Sequence, residues 1–531
     1  MVGVEHVRIG RIGPEHLGQV VRVQGWLRNK PGGKGRYFLW LRDGSGEIQA
    51  IAEQSALPEA VWQDCERIGI ESSVIVEGVV AAHPKQAGVF ELKLTGLTVV
   101  QCVGAQGEFG EYPIGKKEHG VEFLMKNRHL WLRSKRQSAI LRIRNEVEKA
   151  WADFLYERGF YRVDTPIFTP NACEGTTTLF EVDYHGDTAY LAQSGQLYNE
   201  ADIGALGQVY CFGPTFRAEK SKTRRHLLEF WMLEMEAAFY DFDANLRFQE
   251  EMLAYTVKRV LGNCLSDLRD LERDPAKLEP ATETPYPRVR YGEAMRFCNQ
   301  WRLEMAGQAP EAAVKPSLLD LADSMDELRK KADADSRRLW ESISAAGVSY
   351  EDEAVEDGDQ ASRQLAPFCW GNDFGAKDEV AIGSHFDKPV FATNFPIEVK
   401  GFYFKDELGP DGQPAIDPVF ASLPEHMKLQ GMSGHTVLGA DLLGSEGAGE
   451  LIGGSQREDD AGRLLDKIHR HGLPEEYFQW YLDTRRFGGV PHSGFGMGLE
   501  RVLCWLCGGS DTPVHIRETI AFPRMLHQFE P

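Results

Sequence analysis

Short apolar stretches separated by glycine-rich turns occupy residues 19–102. Apolar residues alternate with polar ones or run together in three of these stretches, Val21–Trp26, Tyr37–Leu41 and Ser73–Gly78. Strands of this length, separated by turns such as Asp43–Gly46, predict a small β-barrel.

A helical period begins at Gln137 and indicates a second domain. Apolar residues recur there three and four positions apart, at Ile140, Leu141, Ile143, Val147, Trp151, Phe154 and Leu155. This spacing predicts an amphipathic helix, and Arg158-Gly159 is typical of a helix end. Because strands and helices mix thereafter, we divide the chain into a barrel (1–105), a connector (106–136) and a larger domain (137–531).

Two stretches interrupt the larger domain. Residues 304–366 are charged and helix-like, with an acidic run from Tyr350 to Asp359, and residues 406–433 are rich in glycine and proline. We expect both stretches to be insertions at the surface.

Composition narrows the function classes. No apolar run approaches the length of a membrane span, and the first residues lack a signal pattern. Scattered cysteines suit a reducing compartment, so we expect a cytoplasmic protein without a membrane partner. The pair Cys504 and Cys507 lies in an apolar run, which favours helix-core positions over a metal site.

The formal net charge of −21 argues against nucleic-acid binding by the chain as a whole. The charge is uneven, however, because residues 1–50 carry eight lysines and arginines against four acids. A local basic face can still bind a polyanion, since salt screens distant acids.

A basic loop between two apolar strands is the strongest local motif. It lies between Phe212–Glu219 and His226–Phe230, and its cations are Lys220, Lys222, Arg224 and Arg225. A hairpin with a basic tip offers positive charge to phosphates and an aromatic face to a base. Taken alone, a solvated basic turn explains this segment equally well.

A glycine-rich strand lies far along the chain, at Gly488–Arg501. Glycines let a strand approach a ligand closely, and we expect Arg501 at the start of the following helix. The glycine spacing differs from that of a dinucleotide-binding loop. Alone, such a strand is more often structural.

Together these two segments resemble motifs 2 and 3 of the class II aminoacyl-tRNA synthetases. The helix that ends before Gly159–Pro166 resembles motif 1, and Arg128–Arg133 resembles the hinge of the aspartyl, asparaginyl and lysyl group. The resemblance implies an α+β protein: an N-terminal OB-fold β-barrel that binds the anticodon, then a catalytic domain with an antiparallel sheet flanked by helices. Motif 1 forms the two-fold interface in this class, so we expect a homodimer that contacts through residues near 137–170.

Enzymes of this class join an amino acid to ATP and then transfer it to tRNA, so ATP is the expected nucleotide substrate. The amino-acid carboxylate attacks the α-phosphate, and positioning with charge neutralisation carries the step. The resemblance assigns the α-phosphate to Arg217, and the γ-phosphate with one adenine face to Arg501. These two residues are the expected catalytic groups. The resemblance assigns the other ATP contacts to Glu219, Arg225, His226, Phe230 and Glu450.

Asp441 and Glu450 match the acids that bind Mg²⁺ in this group. Carboxylates combined with phosphate oxygens suit such a hard cation.

Four residues match the amino-acid pocket of the group. Glu174 and Gln196 match residues that receive the α-ammonium group, and Arg457 matches the arginine that holds the substrate side chain. Asn199 stands where aspartyl enzymes place a lysine, and Glu200 matches an acid that accepts a carboxamide N–H. Burying a second carboxylate near Glu200 without that lysine would be costly. The resemblance therefore implies asparagine as the substrate and tRNA(Asn) as the acceptor.

On the barrel, Phe38 and Gln49 match residues that stack on and hydrogen-bond the central uridine of the anticodon. Arg28 and Lys30 are candidate contacts to tRNA phosphates. Without the family match, Phe38 would be assigned to the barrel core.

Three other functions stay open. The first is an aspartyl enzyme, including one that charges two tRNAs, which Asn199 and Glu200 oppose. The second is an amide-forming synthetase on the same catalytic domain, whose members lack the barrel. The third is a non-catalytic RNA-binding paralogue, which should have lost Arg217, Glu450 or Arg501.

Overall fold

The structure is a computed structural model that describes residues 4–104, 107, 110–115, 117–170, 179–219, 226–305, 367–509 and 512–530. The chain divides into two compact units, Met1–Trp131 and Leu132–Pro531. No helix in these described ranges is long and apolar enough to cross a membrane. The predicted insertion at 304–366 lies outside the described residues except for its first two positions, which end a helix.

The N-terminal unit is built on seven strands and three helices. The strands are β1 (Glu5–His6), β2 (Val20–Asn29), β3 (Gly32–Gly33), β4 (Arg36–Arg42), β5 (Glu47–Glu53), β6 (Ser73–Ala82) and β7 (Phe90–Gln101). The helices are α1 (Glu59–Arg67), α2 (Val121–Lys126) and α3 (Arg128–Trp131). The strand order is β1-β2-β6-β7-β5-β4-β3, and β2 also pairs with β4, so five strands close into a barrel.

Alternation along the strands fills this barrel. On β6, Val74, Val76, Gly78 and Val80 are buried, while Ile75, Glu77 and Val79 between them are half-buried. Successive side chains of a strand point to opposite faces, so one face supplies the core and the other meets solvent. The predicted barrel and its three predicted strands are confirmed.

The C-terminal unit contains ten helices and eleven strands within the described residues. The helices are α4 (Lys135–Glu157), α5 (Gln196–Leu206), α6 (Phe242–Asn263), α7 (Leu265–Asp270), α8 (Tyr291–Met305), α9 (Ala376–Gly383), α10 (Pro418–Ser422), α11 (Ala461–Arg470), α12 (Gln479–Arg486) and α13 (Leu499–Cys507). The strands are β8 (Tyr161–Arg162), β9 (Phe168–Thr169), β10 (Glu181–Tyr184), β11 (Asp187–Leu191), β12 (Gln208–Phe216), β13 (Glu229–Ala238), β14 (Arg288–Arg290), β15 (Val390–Thr393), β16 (Gly439–Gly444), β17 (Gly449–Gln456) and β18 (His492–Gly498).

Eight of these strands form one sheet in the order β14-β15-β16-β17-β18-β13-β12-β8. The six strands from β15 to β12 are antiparallel to their neighbours, and only the outermost pairings are parallel. The motif-2 segment is the β12–β13 hairpin, and the motif-3 segment is β18 followed by α13. The two motifs are distant in sequence but adjacent in space, because β13 pairs with β18.

The predicted amphipathic helix is confirmed as α4. The Ser134 side chain caps it by accepting a hydrogen bond from the Gln137 N–H, and its apolar face is buried from Ile140 to Leu155. This face packs in one core cluster with β13, β18, α6 and α13. Cys507 is buried and Cys504 half-buried in α13, and neither forms a disulfide, as expected of helix-core cysteines.

Residues 406–433 are mostly exposed or half-buried, and a few side chains anchor the segment. Leu423 and Met427 are buried in a second core cluster, and Asp417 is buried where it pairs with Arg290. The glycines and prolines shape turns, and these three side chains between them pack inward. The segment therefore lies at the surface and is fixed to the core at these points.

Candidate active site

Two cavities adjoin over the centre of the large sheet. One has a volume of about 640 Å³ and the other about 80 Å³. Both are lined by Arg217, Met232, Glu450 and Gly496, which come from the β12–β13 hairpin and from β17 and β18. The shared lining makes them two parts of one site.

The smaller part collects the predicted nucleotide contacts. Six of them line it: Arg217, Glu219, His226, Phe230, Glu450 and Arg501. The Arg217 guanidinium lies 5.4 Å from the centre of the Phe230 ring, and Nη1 of Arg501 donates to Oε2 of Glu450 at 2.7 Å. His226 Nε2 lies 3.5 Å from Oε2 of Glu219. Arg225 is outside the described residues.

The two predicted metal-binding acids lie on neighbouring antiparallel strands. Lys400 Nζ donates to Oδ2 of Asp441 at 2.7 Å, and Arg501 holds Oε2 of Glu450. Burial raises the pKa of Asp441 to about 7, with Glu450 adding to the rise and Lys400 opposing it. Each acid thus has one oxygen held by a cation of the protein.

The other oxygens of these acids lie over Gly453. A Cβ at this glycine would lie 2.8 Å from Oε1 of Glu450 and 3.7 Å from Oδ1 of Asp441. A larger residue would fill the space beneath both carboxylates. Two carboxylates beside a phosphate-binding cavity fit a hard divalent cation that keeps several water ligands.

The larger part of the site collects the predicted amino-acid contacts. Gln196 and Arg457 line it, and Glu200, which is 2% exposed, lies behind them. Gln196 Nε2 donates to Oε1 of Glu200 at 2.9 Å, which leaves the amide oxygen of Gln196 as an acceptor. Glu174 is outside the described residues.

Arg457 is held by a partner that the sequence did not indicate. Its Nε donates to Oε1 of Glu236 at 3.0 Å, Nη2 also binds Glu236, and Nη1 donates to Oγ of Ser455 at 2.8 Å. Gly494 is required beside this pair, since a Cβ there would lie 2.1 Å from Oε1 of Glu236. The bonds leave N–H groups on both terminal nitrogens of Arg457 for a substrate oxygen.

Three further residues contact the Glu200 carboxylate. Tyr481 Oη donates to its Oε2 at 2.7 Å, His492 Nε2 lies 3.0 Å from the same oxygen, and Arg485 Nη2 also bonds to it. Burial alone would raise the pKa of Glu200, but the charge of Arg485 and the hydrogen bond from His492 outweigh burial and lower it. Glu200 is therefore an ionised acceptor in a closed network.

Glu200, Glu236 and His492 form one group in the described ranges whose ligand atoms could hold a metal. Both carboxylates of this group already face guanidinium groups, those of Arg457 and Arg485. Because the protein supplies the positive charge there, we assign no metal to the group.

Several of these residues were missed by the sequence analysis for identifiable reasons. His492 stands within the glycine-rich strand, and Glu236 follows the basic-loop motif on β13, but neither position by itself indicates a role. Arg485 and Tyr481 lie on α12, one helical turn apart, where their spacing resembles that of any amphipathic helix. Lys400 lies in a stretch without regular periodicity. Only the tertiary fold brings these side chains to the predicted ones.

The barrel carries a separate candidate surface on β2, β4 and β5. Leu39 and Leu41 face the core, so Phe38 and Trp40 point outward. Trp40 stands directly opposite Gln49, and the exposed Trp26 stands opposite Arg42, whose guanidinium lies 5.2 Å from its ring centre. The alternative that Phe38 is a core residue is thus wrong, and two tryptophans extend its aromatic face.

The two predicted phosphate contacts on the barrel already have partners. Lys30 Nζ donates to the carbonyl oxygens of Cys65, Glu66 and Ile68 at 3.0, 2.8 and 2.7 Å, at the C-terminal end of α1. A cation is favourable there, and the three bonds use all N–H groups of the ammonium. Arg28 forms an ion pair with Glu47 near the surface.

Comparison with known proteins agrees with this geometry. Residues 120–526 match the family described as tRNA synthetases class II (D, K and N), and residues 21–100 match the OB-fold nucleic acid binding domain. An "Asparagine--tRNA ligase" of Pelotomaculum thermopropionicum is 45% identical over 528 residues, which cover 99% of this chain and 100% of the relative. One from Thermus thermophilus is 43% identical over 517 residues, covering 97% and 98%.

A solved structure is similar over its whole length. The asparaginyl-tRNA synthetase from Pyrococcus horikoshii, complexed with asparaginyl-adenylate, has a TM-score of 0.76 at 33% identity and covers 100% of both chains. The predicted α+β fold class is confirmed. The match over residues 120–526 and the whole-length relatives show that the chain belongs to the class II tRNA synthetases of the aspartate, lysine and asparagine group.

Proposed function

We propose that the protein activates asparagine with ATP and transfers it to tRNA(Asn), releasing AMP and diphosphate. One observation carries this proposal: the site joins a phosphate- and base-binding end to an end where a carboxylate and an arginine suit a carboxamide. Arg217 and Glu450 line both ends, so a substrate carboxylate and an α-phosphate can meet beside them. The names of the relatives from P. thermopropionicum and T. thermophilus support the same substrate.

Activation depends on positioning and charge. The carboxylate of the amino acid is already an anion, so this step needs no protein base. Negative charge builds on the α-phosphate, and Arg217 lies at the junction of the two cavities to neutralise it. Arg501, held by Glu450, reaches the outer phosphates, while Phe230 stacks on the adenine. We assign the remaining nucleotide contacts to Glu219, Arg225 and His226.

Selection of asparagine depends on a donor and an acceptor at the other end. Arg457 donates to the amide oxygen, and Oε1 of Glu200 accepts from the amide nitrogen. Aspartate would place a second carboxylate against the ionised Glu200, while Arg457 is already shared with Glu236. Gln196 and Glu174 receive the α-ammonium group.

Asp441 and Glu450 would hold Mg²⁺ through the oxygens that lie over Gly453. When bound, the cation supplies positive charge to the phosphates. Lys400 and Arg501 orient the two carboxylates through their other oxygens.

The barrel reads the anticodon in this proposal. Phe38 stacks on a base, Gln49 hydrogen-bonds it, and Arg28 binds phosphate. Lys30 could join as a phosphate contact only by giving up a carbonyl partner. We place this activity in the cytoplasm.

A homodimer completes the assembly. Near motif 1, Tyr156, Tyr161, Ile167 and Phe168 are between 43% and 82% exposed. Exposed apolar residues so close together favour a protein–protein interface.

The substrate assignment is tested by pyrophosphate exchange with asparagine and with aspartate. The wild type should prefer asparagine, and Glu200→Gln should lower asparagine activation and narrow the preference, because a neutral amide no longer repels a carboxylate. A site that hydrogen-bonds one substrate group can reject an analogue by roughly 10⁴-fold, so a reduced preference for asparagine over aspartate should be measurable. Asp202→Asn, in the same helix and half-buried, is the matched control.

Wild-type preference for aspartate would overturn the substrate assignment. If the wild type prefers asparagine and Glu200→Gln keeps the same preference, Glu200 is not the residue that selects asparagine.

A further inference from the structure

The two carboxylate oxygens of Glu200 have different surroundings. Oε2 faces away from the cavity and is bonded by Tyr481, Arg485 and His492. Oε1 faces Gln196 at 2.9 Å and Nε of Arg457 at 4.0 Å, and both of those residues line the cavity. One oxygen is therefore held by the protein, and the other lies on the side of the substrate.

The residues that hold Oε2 are themselves anchored. Arg485 Nε donates to the carbonyl oxygen of Glu458 at 3.0 Å, and its Nη2 also lies 3.0 Å from Oη of Tyr481. His492 Nδ1 lies 2.8 Å from the carbonyl oxygen of Val490. Its Nε2 lies 3.0 Å from Oε2 of Glu200, so both ring nitrogens of His492 are held in place.

Tyr481 and Arg485 already donate to Oε2, so a proton on that oxygen would displace one of these bonds. A proton on Glu200 would have to sit on Oε1, which would turn the acceptor into a donor directed at the substrate. Such a donor suits an oxygen of a carboxylate and opposes an amide N–H. The state of Oε1 thus decides which amino acid fits.

We propose that Arg485, with Tyr481 and His492, positions Glu200 for amino-acid selection by holding Oε2, so that Oε1 stays an acceptor for the carboxamide. This inference rests on the proposed asparagine specificity. Arg485 touches no substrate in this arrangement and is a positioning residue.

The surroundings of Glu200 predict what removal of Arg485 does. The remaining charged or titratable neighbours are Arg457 from β17, Glu236 from β13, and His492 and Tyr481. Arg457 is engaged with Glu236, so burial would dominate and raise the pKa of Glu200. Glu200 would then be protonated at the lower end of the neutral range and ionise as pH rises.

The experiment measures pyrophosphate exchange with asparagine and aspartate from pH 6 to 9. It compares the wild type with Arg485→Met, Arg485→Lys and Arg486→Met. Arg486 is the matched control, since it is exposed on the same helix and its side chain donates hydrogen bonds to Gln479 and Asp483 rather than to Glu200. Thermal unfolding of each variant reports folding.

Arg485→Met should lower kcat/KM for asparagine by roughly 100-fold at pH 6, change aspartate little, and recover in part as pH rises. Arg485→Lys should keep most of the preference, because it retains a cation. Arg486→Met should match the wild type.

Equal losses for both amino acids in Arg485→Met, without a new pH dependence, would overturn the inference and leave Arg485 purely structural. If Arg485→Met does not fold, Tyr481→Phe removes a single donor while keeping the ring; an unchanged asparagine-to-aspartate ratio in that variant overturns the inference equally. A wild type that prefers aspartate would refute the proposed function itself, whatever the variants do.

Discussion

Gly453→Ala tests whether Asp441 and Glu450 form the metal site. The new Cβ would lie 2.8 Å from Oε1 of Glu450, closer than ordinary van der Waals contact, and 3.7 Å from Oδ1 of Asp441. The Glu450 oxygen must therefore move by roughly 0.6 Å. Arg501 holds the other oxygen of Glu450 at 2.7 Å, so the carboxylate cannot shift as a whole without losing that bond.

The size of the effect follows from this displacement. A 1 Å misplacement of a group that positions substrate can lower the rate by roughly 100-fold, so a shift of about half that size predicts roughly a tenfold loss. Tenfold corresponds to about 1.4 kcal/mol of transition-state stabilisation. The variant should need more Mg²⁺ for the same exchange rate and should have a lower kcat/KM for ATP. Its KM for asparagine should change little.

The assay is pyrophosphate exchange at fixed ATP with increasing Mg²⁺, with thermal unfolding as a check on folding. Gly213→Ala is the matched control, because Gly213 lies on β12 of the same sheet and a Cβ there meets nothing within 4 Å. Both changes remove the same backbone freedom from the unfolded chain. If the two variants respond to Mg²⁺ identically, the two acids are not the metal ligands.

Three further predictions test other parts of the molecule. Phe38→Ala, and likewise Trp40→Ala, should weaken aminoacylation by about 1–3 kcal/mol while pyrophosphate exchange stays near wild type; equal loss in both reactions would make these residues structural. Light scattering at micromolar concentration should give twice the 59.6 kDa of one chain, and a fully active monomer would contradict the proposed dimer. Glu200 has a lowered pKa, so its ionised form stabilises the fold above its ordinary pKa of 4.5 and that contribution is lost as pH falls. Glu200→Gln should therefore flatten the drop in Tm below about pH 4.5, and an unchanged slope would contradict that contribution.

The elements that carry the motifs could be predicted because each has a local signature. The helix α4 shows three- and four-residue spacing with a serine cap and a terminal glycine, and these features depend only on neighbours in sequence. The β12–β13 hairpin and the strand β18 were located by apolar runs around a basic loop and by dense glycines. Periodicity and turn chemistry are short-range properties, so one sequence suffices to read them.

The few buried residues within 406–433 could not be predicted, because glycine and proline dominate the composition there. Such residues mark turns, and turns are usually at the surface. Leu423 and Met427 are nevertheless buried, since the turns fold the segment back over β15 and α8 in the second core cluster. Burial of an irregular segment depends on what lies beside it, which local composition does not record.

The amino-acid pocket shows the same limit at the level of single side chains. Its contacts at Gln196 and Arg457 could be named from their motifs, but neither residue stands alone in the structure. Arg457 depends on Glu236, 221 positions away in sequence, and Glu200 depends on Arg485, 285 positions away. A buried charge is stable only when an opposite charge or several donors face it, so the two predicted residues required partners of this kind somewhere in the chain. The sequence does not show which side chains are buried. It therefore does not show which of them need an opposite charge or several donors. The same pairing would let the proposed pocket distinguish an amide from a carboxylate, because Arg457 and Arg485 already face Glu236 and Glu200 before the substrate enters, and a substrate carboxylate would meet Glu200 without a cation of its own.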